Sequence, residues 1–312
     1  MLRWIVRAIV SLSVVAVLVT VASTAGLRDA FSQVRGGVWL ASLGVFMVGH
    51  ALNAMKYRWL LQDPQASPTL VLRAHFAGLV ANLGLPGVAG GDVVRATWLL
   101  PYGVRPAAAT VASVLDRAVD TATLFVLIGI GALAAGVPPA LREVRIGIRW
   151  PFIAAAIVGV VVLVAGGLAF ARRKGTSAGG LMQGLAAEIR PRLGALVAAS
   201  FVTATVQSAF VLTNLWMADD LGLTIGTAPW FVAWPLSKLI SILPISLGGI
   251  GVREAALVSL LAPYGAPSAL VFASGLLWQG VLITSGLVGL GLGSLLGTPA
   301  PAPASSSPVS PS

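Results

Sequence analysis

Between positions 268 and 296, SALVFASGLLWQGVLITSGLVGLGLGSLL, no residue is charged, and this run is only the last of several. About 20 consecutive apolar residues let a helix span the hydrocarbon core of a bilayer, where every backbone polar group must be satisfied within the segment itself. Further long, nearly uncharged runs at 8–25, 38–55, 106–136, 152–170 and 193–217 restrict the chain to a bundle of membrane helices, because a soluble core does not require them. Composition agrees: 57% of the residues are hydrophobic and 10% charged, with a mean hydropathy of +0.93. The expected fold class is all-α, a polytopic helical membrane protein.

Two further apolar stretches are interrupted in the same way. Residues 85–95 read LPGVAGGDVVR and residues 243–253 read LPISLGGIGVR, so Pro, a Gly-Gly pair and Arg recur at identical offsets. Pro and Gly-Gly break a helix and free backbone groups that need other partners at membrane depth. Corresponding Gly/Pro-interrupted segments in two halves of a membrane protein point to a transporter's binding site. We therefore expect two broken helical hairpins, at about 69–100 and about 229–262, within a membrane domain spanning 1–297. The Pro/Ser-rich stretch 298–312 is expected to be a disordered tail.

The number of spans between the hairpins sets their relation. Runs 106–136, 152–170 and 193–217 lie between them, an odd number, so the hairpins enter from opposite faces and form inverted repeats. Arg3 and Arg7 precede run 8–25, which is a first helix or a signal peptide; its length favours the helix. Run 38–55 is expected to end at Lys56 and Arg58, with Tyr57 and Trp59 in the headgroup region. With a cytoplasmic amino terminus, the basic groups at 56–58, 105, 172–174 and 190–192 fall inside and Asp219 and Asp220 outside. Arginines 28, 35, 142, 145 and 149 oppose that orientation. Gly289, Gly293 and Gly297 share one face of the last helix, as close packing requires.

Eight ionisable residues fall at or near membrane depth: Asp92, Arg95, Asp116, Arg117, Asp120, Lys238, Arg253 and Glu254. A charge at the bilayer centre costs about 2.5 to 3.5 kcal/mol, so they must pair or face a wet cavity. Asp92 with Arg95, and Arg117 with Asp120, stand three apart and can share a helix face. Lys238 reads as a member of an internal salt bridge or as a side chain near a helix end that snorkels to the headgroups. The acidic members are also candidates for coupling transport to protons. Arg95 and Arg253 differ from the rest, because each follows its Gly-Gly pair where the helix restarts. There the N–H groups around Gly90, Gly91, Gly248 and Gly249, the positive end of the helix dipole and a guanidinium can bind phosphate. The competing reading is that the glycines permit close packing and each arginine pairs with Asp92 or Glu254.

Other chemistries are poorly supported. Cys is absent, and His50 and His75 are the only histidines, so the sequence offers no thiolate or zinc motif, and both His are expected in packing or hydrogen-bonding roles. GTSAG at 175–179 matches the letters of a hydrolase nucleophile elbow but follows three basic residues in a Gly/Ser-rich connector rather than a strand. Basic residues flank apolar runs instead of forming a stripe with aromatics, so the net charge of +10 does not indicate nucleic acid. We expect no enzyme activity, no metal and no cofactor.

The two Gly-Gly motifs, together with KYRWLL after the second run and SVLDRAVD in the third, resemble the lysylphosphatidylglycerol synthase transmembrane (flippase-like) family over about residues 10–295. In one departure, Asp116-Arg117 stands where relatives often carry Glu-Arg, which keeps the charge. The resemblance implies the translocating module of the aminoacyl-phospholipid synthases as a stand-alone member lacking the synthase domain. The implied function is to move an anionic or phosphate-bearing lipid, a membrane phospholipid or a lipid-linked intermediate, between leaflets of the bacterial inner (plasma) membrane. A separate lipid-modifying transferase is a candidate partner. The alternative is a non-transporting membrane subunit that anchors or regulates an envelope-lipid or glycolipid biosynthetic enzyme.

Overall fold

The computed structural model describes residues 32, 34–84, 89–136, 190–242 and 249–295. Eight α-helices occupy these residues in chain order: α1 (Gly36–Leu61), α2 (Pro68–Gly84), α3 (Ala89–Leu99), α4 (Pro106–Ala135), α5 (Leu193–Asp220), α6 (Thr227–Ser241), α7 (Val252–Leu261) and α8 (Ser268–Leu295). Helices α1, α4 and α8, and α5 with the short turn before it, are long and apolar enough to cross a membrane. The all-α polytopic fold expected from the apolar runs is therefore present. Runs 8–25 and 152–170, the basic segment 142–149, GTSAG and the tail lie outside the described residues.

Local chemistry sets the helix limits. Pro106 occupies the first turn of α4, where its missing N–H would have no intrahelical partner. Gln62, at positive φ, closes α1. That end comes later than the apolar run suggests: α1 continues through Lys56 and Tyr57 to Leu61, and both side chains are buried. The extra turns carry these residues inward, away from the headgroup region, which corrects their expected interfacial placement.

Helices α1 and α5 pack antiparallel. At one end Arg35 bonds Asp220, and at the other Gln62 Nε2 donates to Pro191 O at 3.0 Å while Arg192 Nε donates to Leu60 O at 3.1 Å. The second end also gathers Arg58 and Arg105, and the first holds Asp219 and Asp220. We call them the basic and acidic ends.

Both feet of the α2/α3 hairpin stand at the basic end, where Arg105, just after α3, donates its backbone N–H and its Nε to Asp63, just before α2, each at 3.1 Å. Both feet of the α6/α7 hairpin stand at the acidic end: Leu221, ahead of α6, clusters with Phe272 and Ala273 in the first turns of α8 and with Val34. The hairpins thus enter the bundle from opposite ends. Their arms of 17, 11, 15 and 10 residues are about 25, 16, 22 and 15 Å long at 1.5 Å per residue. None matches the roughly 30 Å hydrocarbon core, so the inner ends of the arms lie within the bundle.

Glycines bring the elements this close. A Cβ on Gly91 of α3 would fall 2.2 Å from the carbonyl oxygen of Gly78 on α2, and a Cβ on Gly131 of α4 would fall 2.8 Å from the backbone of Phe231 on α6. On α8, Gly289 faces the ring of Phe76 and Gly293 the side chain of Arg73, as a packing face should. Gly297 lies outside the described residues.

Candidate functional site

The inner parts of the hairpin arms and the spans around them line a cavity of about 190 Å³. The α2/α3 hairpin contributes His75, Asn82, Gly91, Asp92 and Arg95; the α6/α7 hairpin contributes Trp234, Lys238, Ser241 and Arg253. Asp116, Arg117 and Asp120 enter from α4, and Lys56 from α1. The charges singled out in the sequence therefore share one space, apart from Glu254, which adjoins it through Arg253.

The polar wall is a continuous ion network. Arg95 is buried, with Nη2 2.7 Å from Asp116 Oδ2 and 3.3 Å from Asp92 Oδ1, and its guanidinium stacks 3.8 Å from the centre of the Tyr57 ring. Lys56 Nζ lies 2.9 Å from Asp116 Oδ1, bonds Asp120, and donates to Thr203 Oγ1 at 3.1 Å. Arg117 bonds Asp92 across the gap between α4 and α3. Desolvating one such charge alone would be costly, and Asp92 and Asp116 are each shared between cations drawn from different helices.

The Gly-Gly pairs play unequal parts. Gly90 and Gly91 stand in the first turn of α3, and the Gly91 N–H donates to Asn82 Oδ1 at 2.7 Å, so that donor is already engaged within the hairpin. Gly249 has φ +78°, a left-handed conformation that favours glycine, and a Cβ there would lie 2.8 Å from Ser241 Cβ. Gly248 lies outside the described residues. At the start of α7 the Gly251 N–H donates to Glu254 Oε2 at 2.7 Å, and the carboxylate also holds Arg253. Gln279 Oε1, 3.1 Å away on α8, accepts a second bond from Arg253 Nη2.

The opposite wall is aromatic. Phe46 stacks on Phe210 with ring centres 4.5 Å apart and meets Trp278 edge-on at 4.2 Å; Trp234 meets Trp278 edge-on at 5.0 Å. His50 and His75, expected in packing or bonding roles, hydrogen-bond one another at 3.2 Å, Nδ1 to Nε2.

Sequence reasoning missed one cation and left another open. Lys56 was read as a headgroup residue because it closes an apolar run, and Lys238, one of the eight charges expected to pair or face a cavity, was read as more at home in a salt bridge or at the headgroups. Lys238 instead lines the cavity, donates to Gln207 Oε1 at 3.0 Å and sits 5.2 Å over the Trp234 ring. A signal was available: an arm of a broken hairpin leads towards the bundle's interior, so a lysine near its inner end has no headgroup to reach.

Such a site can bind, orient and screen a charged group in a small space bounded by aromatic rings. The model of the family described as the lysylphosphatidylglycerol synthase TM region matches residues 4–289. No curated protein matches the chain. The multi-pass helical fold, the two motifs at the hairpin tips and this match over most of the chain lead to one assignment: the protein belongs to the lysylphosphatidylglycerol synthase transmembrane-region family.

Proposed function

We propose that this protein moves an anionic, phosphate-bearing lipid between the leaflets of the bacterial inner membrane, with the headgroup passing through the central cavity. The observation that carries this reading is the convergence of five cationic side chains, Lys56, Arg95, Arg117, Lys238 and Arg253, on a cavity between the arms of two hairpins anchored at opposite ends. Hairpins of opposite entry suit alternating access, because rocking one against the other opens the same site first to one face and then to the other. A volume of 190 Å³ corresponds to about six waters at roughly 30 Å³ each, enough for a phosphate with a small polar group and too little for acyl chains. The chains therefore stay in the bilayer while the headgroup crosses. A separate lipid-modifying transferase is the partner this division of labour calls for.

The test is reconstitution into liposomes with phosphatidylglycerol or phosphatidic acid labelled on a short acyl chain, followed by bleaching of the outer leaflet. Labelled lipid protected inside should become accessible faster than in protein-free liposomes. Equal rates with folded protein present, across anionic lipids and lipid-linked sugar phosphates, would sink transport and leave a non-transporting subunit role.

A further inference from the structure

The cations of the two hairpins are held by different chemistry. Arg95 and Arg117, around the α2/α3 hairpin, meet the carboxylates of Asp92 and Asp116, and Lys56 meets Asp116 and Asp120. In the α6/α7 hairpin, Arg253 has Glu254, but Lys238 has only the amide oxygen of Gln207 as hydrogen-bond acceptor. Among the described residues no carboxylate lies within 4.0 Å of Lys238 Nζ, and five cations at the cavity meet four carboxylates. A glutamine orients an ammonium without neutralising it. A charge at this depth with no carboxylate bonded to it, Asp120 acting on Lys238 only at longer range, is costly unless an anion joins it. Arg253 and Arg95 alike keep an Nε that is buried without a partner, but Arg95 Nη2 already meets two carboxylates and Arg253 Nη2 one.

Resting on the reading of the cavity as a headgroup site, we infer that Lys238 is the primary anchor for the substrate's phosphate, with Arg253 beside it, and that Gln207 positions the Lys238 ammonium while leaving its charge unspent. The phosphate is thus gripped from the α6/α7 hairpin, and Arg95, spent on two aspartates, holds the α2/α3 hairpin to α4. The two motif arginines serve unequal roles despite their matching positions. Both a lipid headgroup and free phosphate carry the required group, and the experiment separates them.

Full-length protein in detergent is titrated calorimetrically with dioctanoyl phosphatidic acid, with inorganic phosphate and with dioctanoylglycerol, which lacks the phosphate. Wild type and Lys238→Arg should bind the phosphatidic acid and not the diacylglycerol. Lys238→Gln and Gln207→Glu should each weaken binding about tenfold or more, as loss of a charge-assisted hydrogen bond does. Gln207→Glu is decisive because it keeps the lysine and the side-chain shape while supplying a permanent counter-charge; a merely structural Lys238 would fold at least as stably and bind unchanged. Wild-type affinity in folded Gln207→Glu or Lys238→Gln overturns the anchor role and leaves the headgroup cavity standing. Binding of inorganic phosphate alone, lost in the same variants, keeps the anchor and refutes the lipid reading. A wild type that binds neither phosphate probe refutes both.

Discussion

Arg95 Nη2 lies 2.7 Å from Asp116 Oδ2 and so ties the inner part of the α2/α3 hairpin to α4. This pair sits where three elements meet, because the same carboxylate receives Lys56 from α1 at 2.9 Å. The hairpin that carries the first motif is therefore held by charge at its tip and, through Asp63 and Arg105, at its feet. Its geometry is fixed at both ends of two arms too short to cross the bilayer.

Removing Arg95 should unfold more than it disables. Arg95→Met leaves Asp116 short of a partner and Asp92 with Arg117 alone, at a cost on the order of 3 to 5 kcal/mol. Arg95→Lys should recover only part of this, since an ammonium cannot both fork between two carboxylates and stack on Tyr57. Detergent-solubilised yield and thermal midpoint are the measurements. Normal yield and midpoint in Arg95→Met would show that the pair does not hold the hairpin.

Gly91→Ala tests the close approach of α2 and α3. The new Cβ would lie 2.2 Å from Gly78 O and 2.4 Å from Asn82 Oδ1, so backbone has to move. Overpacking of this kind costs about 1 to 3 kcal/mol. Gly129→Ala on α4, which meets nothing within 4 Å, is the control. Thermal unfolding should drop for the first variant and stay level or rise for the second.

The two entry faces can be read by labelling, since the chain has no Cys to remove. Gln65 and Asp219 are exposed, the first at the basic end and the second at the acidic end. Single cysteines at these positions should react with a membrane-impermeant maleimide from opposite sides, Gln65→Cys from the cytoplasmic face. Reaction of both from one side would contradict the opposed entry of the hairpins.

Acid should loosen the feet of the first hairpin. Burial by itself pushes the Asp63 carboxyl up, but hydrogen bonds from the backbone N–H groups of Arg105 and Gln65 and the Arg105 guanidinium hold it below the usual carboxylate value. Because the folded value lies below the unfolded one of about 3.9, the stabilisation is complete above that pH and is lost as pH falls through the depressed folded value. Asp63→Asn should lower the thermal midpoint at pH 6 by the equivalent of about 1 to 3 kcal/mol, and the gap to wild type should begin to narrow as pH falls below the unfolded carboxylate value and keep narrowing with further acid. A gap that stays constant throughout that acid range would assign the effect to packing.

The uncharged runs by themselves determined that this chain is a helical membrane protein, because apolar length and backbone satisfaction leave few alternatives in a bilayer. The repeated Pro, Gly-Gly and Arg spacing likewise marked where α2 gives way to α3 and α6 to α7, although Gly90 and Gly91 themselves stand in the first turn of α3. Which way a charge points depends on neighbours far along the chain, and only the tertiary structure decided that. Lys56 looked like the end of a span, yet α1 runs one further turn to Leu61 and packs against α4 and α5, which places the ammonium among Asp116, Asp120 and Thr203. Arg95 and Arg253 occupy equivalent places in their motifs, yet one is spent on aspartates from α3 and α4 and the other is braced by Gln279 from α8. Lys238 carried no motif at all; the inward course of α6 set it over Trp234 with a glutamine where its counterparts have carboxylates, because at that point the facing helix is α5 and its residue there is Gln207.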